Sequence, residues 1–461
     1  MNRYKKLFSN SIVFSIGNLG SKMITFLMVP LYTRFLTTSQ YGNSDVISTI
    51  VSLLTPILTL SIIEAVFRFA LDENSNNGQV LTNGFLVSLA SFVIFLFVLP
   101  FIGNINYGIY VVLLTYASAL ESTLQQFARG IGKSTLYAAT GIVMTVATVL
   151  SNILLIVVMG WQLQGYLASI MIAQFTGMLF LTWRLKAWQY ISLKNVNLGL
   201  AKRMLVYSIP LIPNMVSWWL SNSANKIFIS VLLGATANGI YAVANKIPSL
   251  ISVFYSIFTQ AWQISAIEEF DSDDVGEFFS TVLAATFSIL FIGVAGLTLF
   301  SKFFVLLLST HAYFEAWKIV PWLSLAVLFS SVSSFLGTIY TSSMKTVALF
   351  TTTIAGAIVN VISNLVLIPL LGIVGAGVGA CISFLIVTLL RIRDSKRFIH
   401  LEIQWGIILT SLLCICIEIT ALYMLPGILG YIFASICTFG VLGINSRLII
   451  KELKHFLKNK K

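Results

Sequence analysis

Residues 131–169 read IGKSTLYAATGIVMTVATVLSNILLIVVMGWQLQGYLAS, and residues 343–381 read SMKTVALFTTTIAGAIVNVISNLVLIPLLGIVGAGVGAC. Laid one over the other at a constant offset of 212, without gaps, they share eleven of thirty-nine positions. The shared residues include Lys133/Lys345, Thr140/Thr352, Ser151/Ser363, Asn152/Asn364, Gly160/Gly372 and Gly165/Gly377. Apolar composition alone reproduces a few such matches, but not a lysine, a Ser-Asn pair and two glycines in register. A weaker echo relates residues 41–54 to 238–251, with Gly42, Val46, Ile50, Ser52 and Leu53 matching Gly239, Val243, Ile247, Ser249 and Leu250. The chain is an internal duplication.

What repeats is a set of membrane spans. The chain has 461 residues, 57% hydrophobic and only 10% charged, where a soluble domain carries about a quarter. A helical span needs about 20 apolar residues. Fourteen stretches qualify, the first near 10–36 and the last near 428–447. The predicted fold is an all-α integral membrane protein of about 14 transmembrane helices. Helices 1–6 (1–185) form one lobe and helices 7–12 (204–392) another, joined by a cytoplasmic linker at 186–203, with helices 13 and 14 and a basic tail in 393–461. Six is an even number, so both lobes enter the membrane in the same direction and the repeats are parallel. Two homologous bundles in this relation are the architecture of alternating access.

Charge orients the chain. With both termini inside, cytoplasmic segments hold 21 of the 28 Lys and Arg, Arg391 among them. Arg34, Lys302 and Lys318 fall outside, and Lys22, Arg68, Lys226 and Lys246 fall within spans. This is the positive-inside pattern. The net charge of +12 follows from it and from contact with anionic lipid, so nucleic acid is not implied. No small-residue cleavage site follows the first apolar run, which predicts a retained helix. Cys381, Cys414, Cys416 and Cys437 lie in apolar runs, and His311, His400 and His455 are far apart. No disulfide, metal or cofactor is implied.

The charges inside spans point to function. An ionised side chain at the bilayer centre costs at least about 2.5–3.5 kcal/mol and normally faces a wet cavity or a partner. Lys246 aligns with Thr49 in the echo, so one half alone carries this charge. Lys226 closes the polar run SWWLSNSANK (217–226), which also brings Trp218, Trp219, Asn222 and Asn225. Indoles stack on sugar rings and amides bond hydroxyls; a Trp pair also suits an interfacial belt. Glu64 and Arg68 stand four apart, acid first, as an intrahelical ion pair would. Arg34 reads as an anchor or a ligand, and Asp45, Glu121 and Glu418 as partners of buried cations or carriers of a coupling proton. Lys22, Lys226 and Lys246 outnumber the acids near them, which suits an anionic, membrane-borne substrate with a sugar head.

Three stretches carry a family resemblance: NSIVFSIGNLGSKMITFLMVPLYTRFLTTSQYGNSDV near the N-terminus, ANKIFISVLLGATANGIYAVANKI at the helix 7–8 turn, and NLVLIPLLGIVGAGVGACIS at the helix 11–12 turn. Along its whole length the chain resembles the polysaccharide-biosynthesis flippases of the Wzx, or O-antigen, type, within the superfamily that also holds the lipid II flippase and the multidrug and toxin exporters. The resemblance implies a flippase of the bacterial plasma membrane. It would move an undecaprenyl-pyrophosphate-linked oligosaccharide for O-antigen or capsule assembly, with a polysaccharide polymerase and a chain-length regulator as partners; the residues leave H+ exchange, Na+ exchange and the membrane potential open as the drive. It places Lys22 and Lys246 among the cations of a central cavity that receives the lipid diphosphate. The rivals are a cation-exporting antiporter of the same superfamily, a membrane-embedded polymerase or glycosyltransferase, and a non-transporting scaffold. The motif Gly375-x-Gly377-x-x-Ala380 fits a dinucleotide fingerprint. That fingerprint needs a strand before its helix, whereas here it joins two apolar runs, and Gly375 and Gly379 read as close-packing positions.

Overall fold

The computed structural model describes residues 23–72, 75–96, 107–270, 272–343 and 346–459. These form helices, and no strand occurs among the described residues. In hydrocarbon each backbone N–H and C=O must find a partner within its own segment, which leaves the helix as the only open-chain solution. Nine helices among the described residues are long and apolar enough to span, or ten if a bent pair counts as one. The fourteen expected from sequence exceed that number. Helices such as Gly108–Gly130 and Ile212–Leu233 have spanning length but a composition too polar to join the nine.

The chain divides into two compact units, Met1–Trp219 and Leu220–Lys461. Unit 1 contains α1 (Met23–Phe35), α2 (Thr38–Leu58), α3 (Ile62–Ala70), α4 (Asn77–Leu96), α5 (Gly108–Gly130), α6 (Ser134–Asn152), α7 (Gln162–Leu185) and α8 (Leu198–Ser208). The unit boundary falls inside α9 (Ile212–Leu233). Unit 2 continues with α10 (Ala235–Glu268), α11 (Val275–Leu299), α12 (Ser301–Leu308), α13 (Val320–Ser342), α14 (Thr346–Leu371), α15 (Ile373–Ser395), α16 (Trp405–Met424) and α17 (Gly427–Asn459).

The duplicated stretch forms a helix pair in each unit: α6 and α7 in unit 1, α14 and α15 in unit 2. The matched glycines are their corners. Gly160 has φ +68° and Gly372 φ +61°, a region L-residues avoid and glycine enters freely. In unit 2 the pair packs backbone to backbone: a Cβ at Gly375 would lie 2.0 Å from the Leu367 carbonyl oxygen, and one at Gly379 would lie 3.2 Å from the Ser363 Cβ. The glycines of the fingerprint-like motif thus serve helix contact. In unit 1 a π-helical turn, Ile153–Val158, extends α6 before the corner.

The second of the fourteen expected spans, near 44–70, is not a single rod. The α2 and α3 axes differ by 62° across a short break, where Leu60 and Ser61 take φ of 52° and 53°. Pro56 lies one turn before, and the Ser61 N–H donates to its carbonyl (2.7 Å). The Leu60 carbonyl accepts from the Ser208 hydroxyl at 2.8 Å. These bonds answer backbone groups that the break would leave bare.

Each unit has its own core. In unit 1, Ile62, Val66, Leu81, Leu124, Phe127 and Leu181 are buried together. In unit 2, the Trp262 indole stacks on Phe335 (ring centroids 4.6 Å) and meets Phe279 edge-on (4.9 Å). Its N–H donates to the Thr338 hydroxyl at 3.0 Å, so the ring is buried without an orphaned donor.

Candidate functional site

The matched asparagines organise the polar interior of both units. In unit 2, Asn364 on α14 is fully buried, and its amide donates to the Asn360 side-chain oxygen (2.8 Å) and to that of Asn225 on α9 (2.7 Å). Asn225 in turn donates to the Tyr241 hydroxyl on α10 (3.3 Å). This chain of amides fastens three helices, as polar side chains do where no water competes. Sequence reasoning offers Asn225 to a sugar; its amide is buried and engaged within unit 2.

Lys226 follows Asn225 and is half-buried, while Asn222, one turn earlier, is exposed. Lys246 is half-buried on α10. Gly234, at φ +88°, is the corner, and the helix begins at Ala235. Lys246 therefore lies about 16 Å along the axis from Ala235 at 1.5 Å per residue. It stands near the middle of the apolar span Ala235–Thr259.

In unit 1, the matched Asn152 donates to the Tyr32 hydroxyl on α1 at 2.8 Å. The Tyr32 ring stacks with Tyr41 (6.1 Å) and meets Tyr166 edge-on (4.9 Å). Asp45 is half-buried on α2, beside this tyrosine cluster in sequence, and its carbonyl accepts from the Thr49 hydroxyl (2.7 Å). Arg34 is exposed in the last turn of α1. Lys22 lies outside the described residues. The two tryptophans separate: Trp218 is exposed, whereas the Trp219 indole donates to the Thr49 carbonyl and the Ser52 hydroxyl, both at 3.1 Å. Trp219 is thus committed to packing against α2.

The acids behave differently from the pairing read in the sequence. Among the described residues Glu64 and Arg68 form no ion pair, and Arg68 is exposed. Glu121 on α5 is buried with its Cγ beside Gly177, and one carboxyl oxygen is unpartnered. Glu418 on α16 is fully buried; one oxygen accepts from the Thr438 hydroxyl (3.1 Å) and the other is unpartnered. Neither has a cationic partner among the described residues.

One buried cation escaped the sequence. The charge pattern puts Arg391 in a cytoplasmic segment, yet α15 runs on to Ser395 and buries it. Its guanidinium donates to the Ser333 carbonyl (2.7 Å) and to the hydroxyls of Thr352 (3.1 Å) and Thr353 (3.0 Å). Nothing nearby in the sequence separates it from the exposed Arg393 other than where α13 and α14 come to lie.

Residues 7–263 match the family described as polysaccharide biosynthesis protein. Among solved structures, the chain is similar to the lipid II flippase MurJ in an inward closed conformation, at 14% identity over 96% of this chain and 99% of that one, with a TM-score of 0.69. It is also similar to a multidrug resistance MATE family transporter of the MOP superfamily. The inward-facing form gives 12% identity, 85% and 98% coverage and a TM-score of 0.64; the outward-facing form gives 14%, 85% and 95%, and 0.60. At such identities the likeness is one of fold. No curated protein sequence matches the chain. With more than half of its length matched, the chain belongs to the polysaccharide biosynthesis protein family, built on the helical fold that MurJ and the MATE transporters share.

Proposed function

We propose that this protein is a flippase that carries an undecaprenyl-pyrophosphate-linked oligosaccharide repeat unit across the bacterial plasma membrane by alternating access, for assembly of a surface polysaccharide such as O-antigen or capsule. The observation that carries the reading is Lys246, a half-buried ammonium near the middle of an apolar span in a member of a polysaccharide biosynthesis family. A charge at that depth is expensive, and an anionic headgroup that must cross the same depth gives it a use. Lys226 belongs to the same diphosphate-binding set, as does Lys22; Asn222 and Trp218, both exposed, suit the sugar. A lysine holds phosphate as a point charge, without the fork of arginine, which favours release as well as capture. No bond is made or broken, so the protein works as a transporter. H+ or Na+ exchange or the membrane potential drives the cycle, both termini are cytoplasmic, and a polymerase and chain-length regulator take up the product.

One other reading has an observation in its favour. The fold also resembles MATE transporters, and an exporter of organic cations would use buried acids without cationic partners, as Glu121 and Glu418 are among the described residues. The variants that separate the readings are Lys246→Ala and Lys246→Arg, expressed in the native host. A flippase loses surface polysaccharide with Lys246→Ala at undiminished membrane insertion and keeps part of it with Lys246→Arg. Normal export from the alanine variant removes Lys246 from the mechanism, and drug efflux in its place would favour the cation exporter.

A further inference from the structure

Residues 183–203 read WRLKAWQYISLKNVNLGLAKR, with five cations (Arg184, Lys186, Lys194, Lys202 and Arg203) and no acid. The segment is ordered. α7 ends at Leu185, Lys186 turns the chain at φ 54°, short 3-10 turns follow at Ala187–Gln189 and Leu193–Asn195, and α8 begins at Leu198. Its inner side is fixed to unit 1. Leu185, Ala187, Leu200 and Met204 are buried with Val80, Leu81 and Phe127. The first turns of α4 answer its polar groups. The Thr82 hydroxyl donates to the Tyr190 carbonyl (3.0 Å), the Asn197 amide donates to Gln79 (3.1 Å), and the Asn197 N–H donates to Asn83 (3.2 Å).

The outer side is the anomaly. Leu193 is 90% exposed, Leu198 79%, Trp183 67% and Trp188 56%. Exposed cations are interleaved with them. A water-facing surface does not gather large apolar side chains in this way. Indoles and leucines beside snorkelling lysines are the composition of a headgroup layer. The acidic stretch EEFDSDDVGE (268–277) in unit 2 is its opposite in charge, so an excess of lysine is a property of this segment and not of every loop.

We propose that residues 183–203 form a fixed interfacial platform that seats its Trp and Leu side chains among acyl chains and its cations on anionic phospholipid headgroups. The platform goes beyond the transport reading and holds whatever the substrate is. Charge complementarity selects the occupant: five cations without an acid fit an anionic lipid layer, and the protruding indoles fit its depth. Because α4 and α7 are both tied to it, the lipid surface fixes the level of that end of unit 1.

The test uses the full chain in POPC nanodiscs containing either brominated POPG or brominated POPC at equal fraction. Trp183→Phe/Trp188→Phe isolates the fluorescence of the two platform indoles. The proposal expects both lipids to quench that component, brominated POPG several-fold more strongly. It expects the preference to vanish in Lys186→Gln/Lys194→Gln/Lys202→Gln, since each cation near an anionic surface is worth about fivefold in association. Quenching by aqueous iodide in place of lipid would overturn it and leave a soluble acidic partner as the occupant. Equal quenching by the two lipids, indifferent to the lysines, would overturn the anionic preference.

Discussion

The two halves of the duplication solve the same packing problem with different residues. In unit 2, α15 approaches α14 at Gly375, whose absent Cβ leaves room for the Leu367 carbonyl; in unit 1 the residue at the offset of 212 is Leu163, buried in a hydrophobic cluster. The π turn Ile153–Val158 accounts for the difference. It widens the end of α6, and the backbone contact moves two positions on, to Gly165, where a Cβ would meet the Leu155 carbonyl at 3.1 Å. The repeated asparagine diverges likewise. Asn152 meets a tyrosine hydroxyl within an aromatic cluster, while Asn364 meets a chain of amides next in sequence to Lys226. Duplication kept the buried donor and freed its surroundings to change. The half with the amides is also the one whose central span carries a lysine, where the other has Thr49.

The sharpest way to break this comparison is Gly375→Ala. A methyl 2.0 Å from a backbone oxygen forces α14 and α15 apart, and a loss of about 3 kcal/mol or more is expected, seen as a collapse of the melting transition in detergent. Leu163→Ala at the matched site only opens a cavity and should cost about 2–3 kcal/mol. Gly165→Ala, whose Cβ would sit 3.1 Å from the Leu155 carbonyl, should cost less than Gly375→Ala; equal losses at these two glycines would mean that the π turn does not ease the contact.

Next in size, Asn364→Ala strands the oxygens of Asn225 and Asn360, whereas Asn152→Ala strands one tyrosine hydroxyl. Losses of about 2 and about 1 kcal/mol follow, and differential melting of the two variants measures the ratio. Asn364→Asp should not rescue, because a carboxylate there faces two acceptor oxygens.

The smallest effect belongs to Arg391→Met. The hydroxyls of Thr352 and Thr353 also donate to the Leu349 carbonyl, so they keep a partner when the guanidinium goes. Replacing a buried ion by an apolar group of similar length is near neutral, and a change within about 1 kcal/mol is expected. A stable variant that fails to export would show that unit 2 uses this cation for more than packing.

Much of this was legible in the chain. Apolar run length and the offset of 212 foretell helices and duplication, because hydrocarbon allows few alternatives. The glycines at 160 and 372 foretell the corners. The bend in helix 2 was not legible: it uses Leu60 and Ser61 in a region that glycine usually marks, and only Pro56 hints at it. The burial of Arg391 depends on two other helices, and so do the partners of each asparagine. Glu64 and Arg68 show that correct spacing does not by itself make an ion pair.

The most direct test of the central claim is translocation itself. Purified protein in liposomes, given an undecaprenyl-pyrophosphate-linked oligosaccharide on one leaflet, should deliver it to the other, where an added glycan-cleaving enzyme can reach it. The wild type is expected to expose the oligosaccharide and Lys246→Ala to leave it protected. Equal exposure by both proteins would contradict the role given to the lysine near the middle of the span Ala235–Thr259, and no exposure by the wild type would contradict the flippase itself.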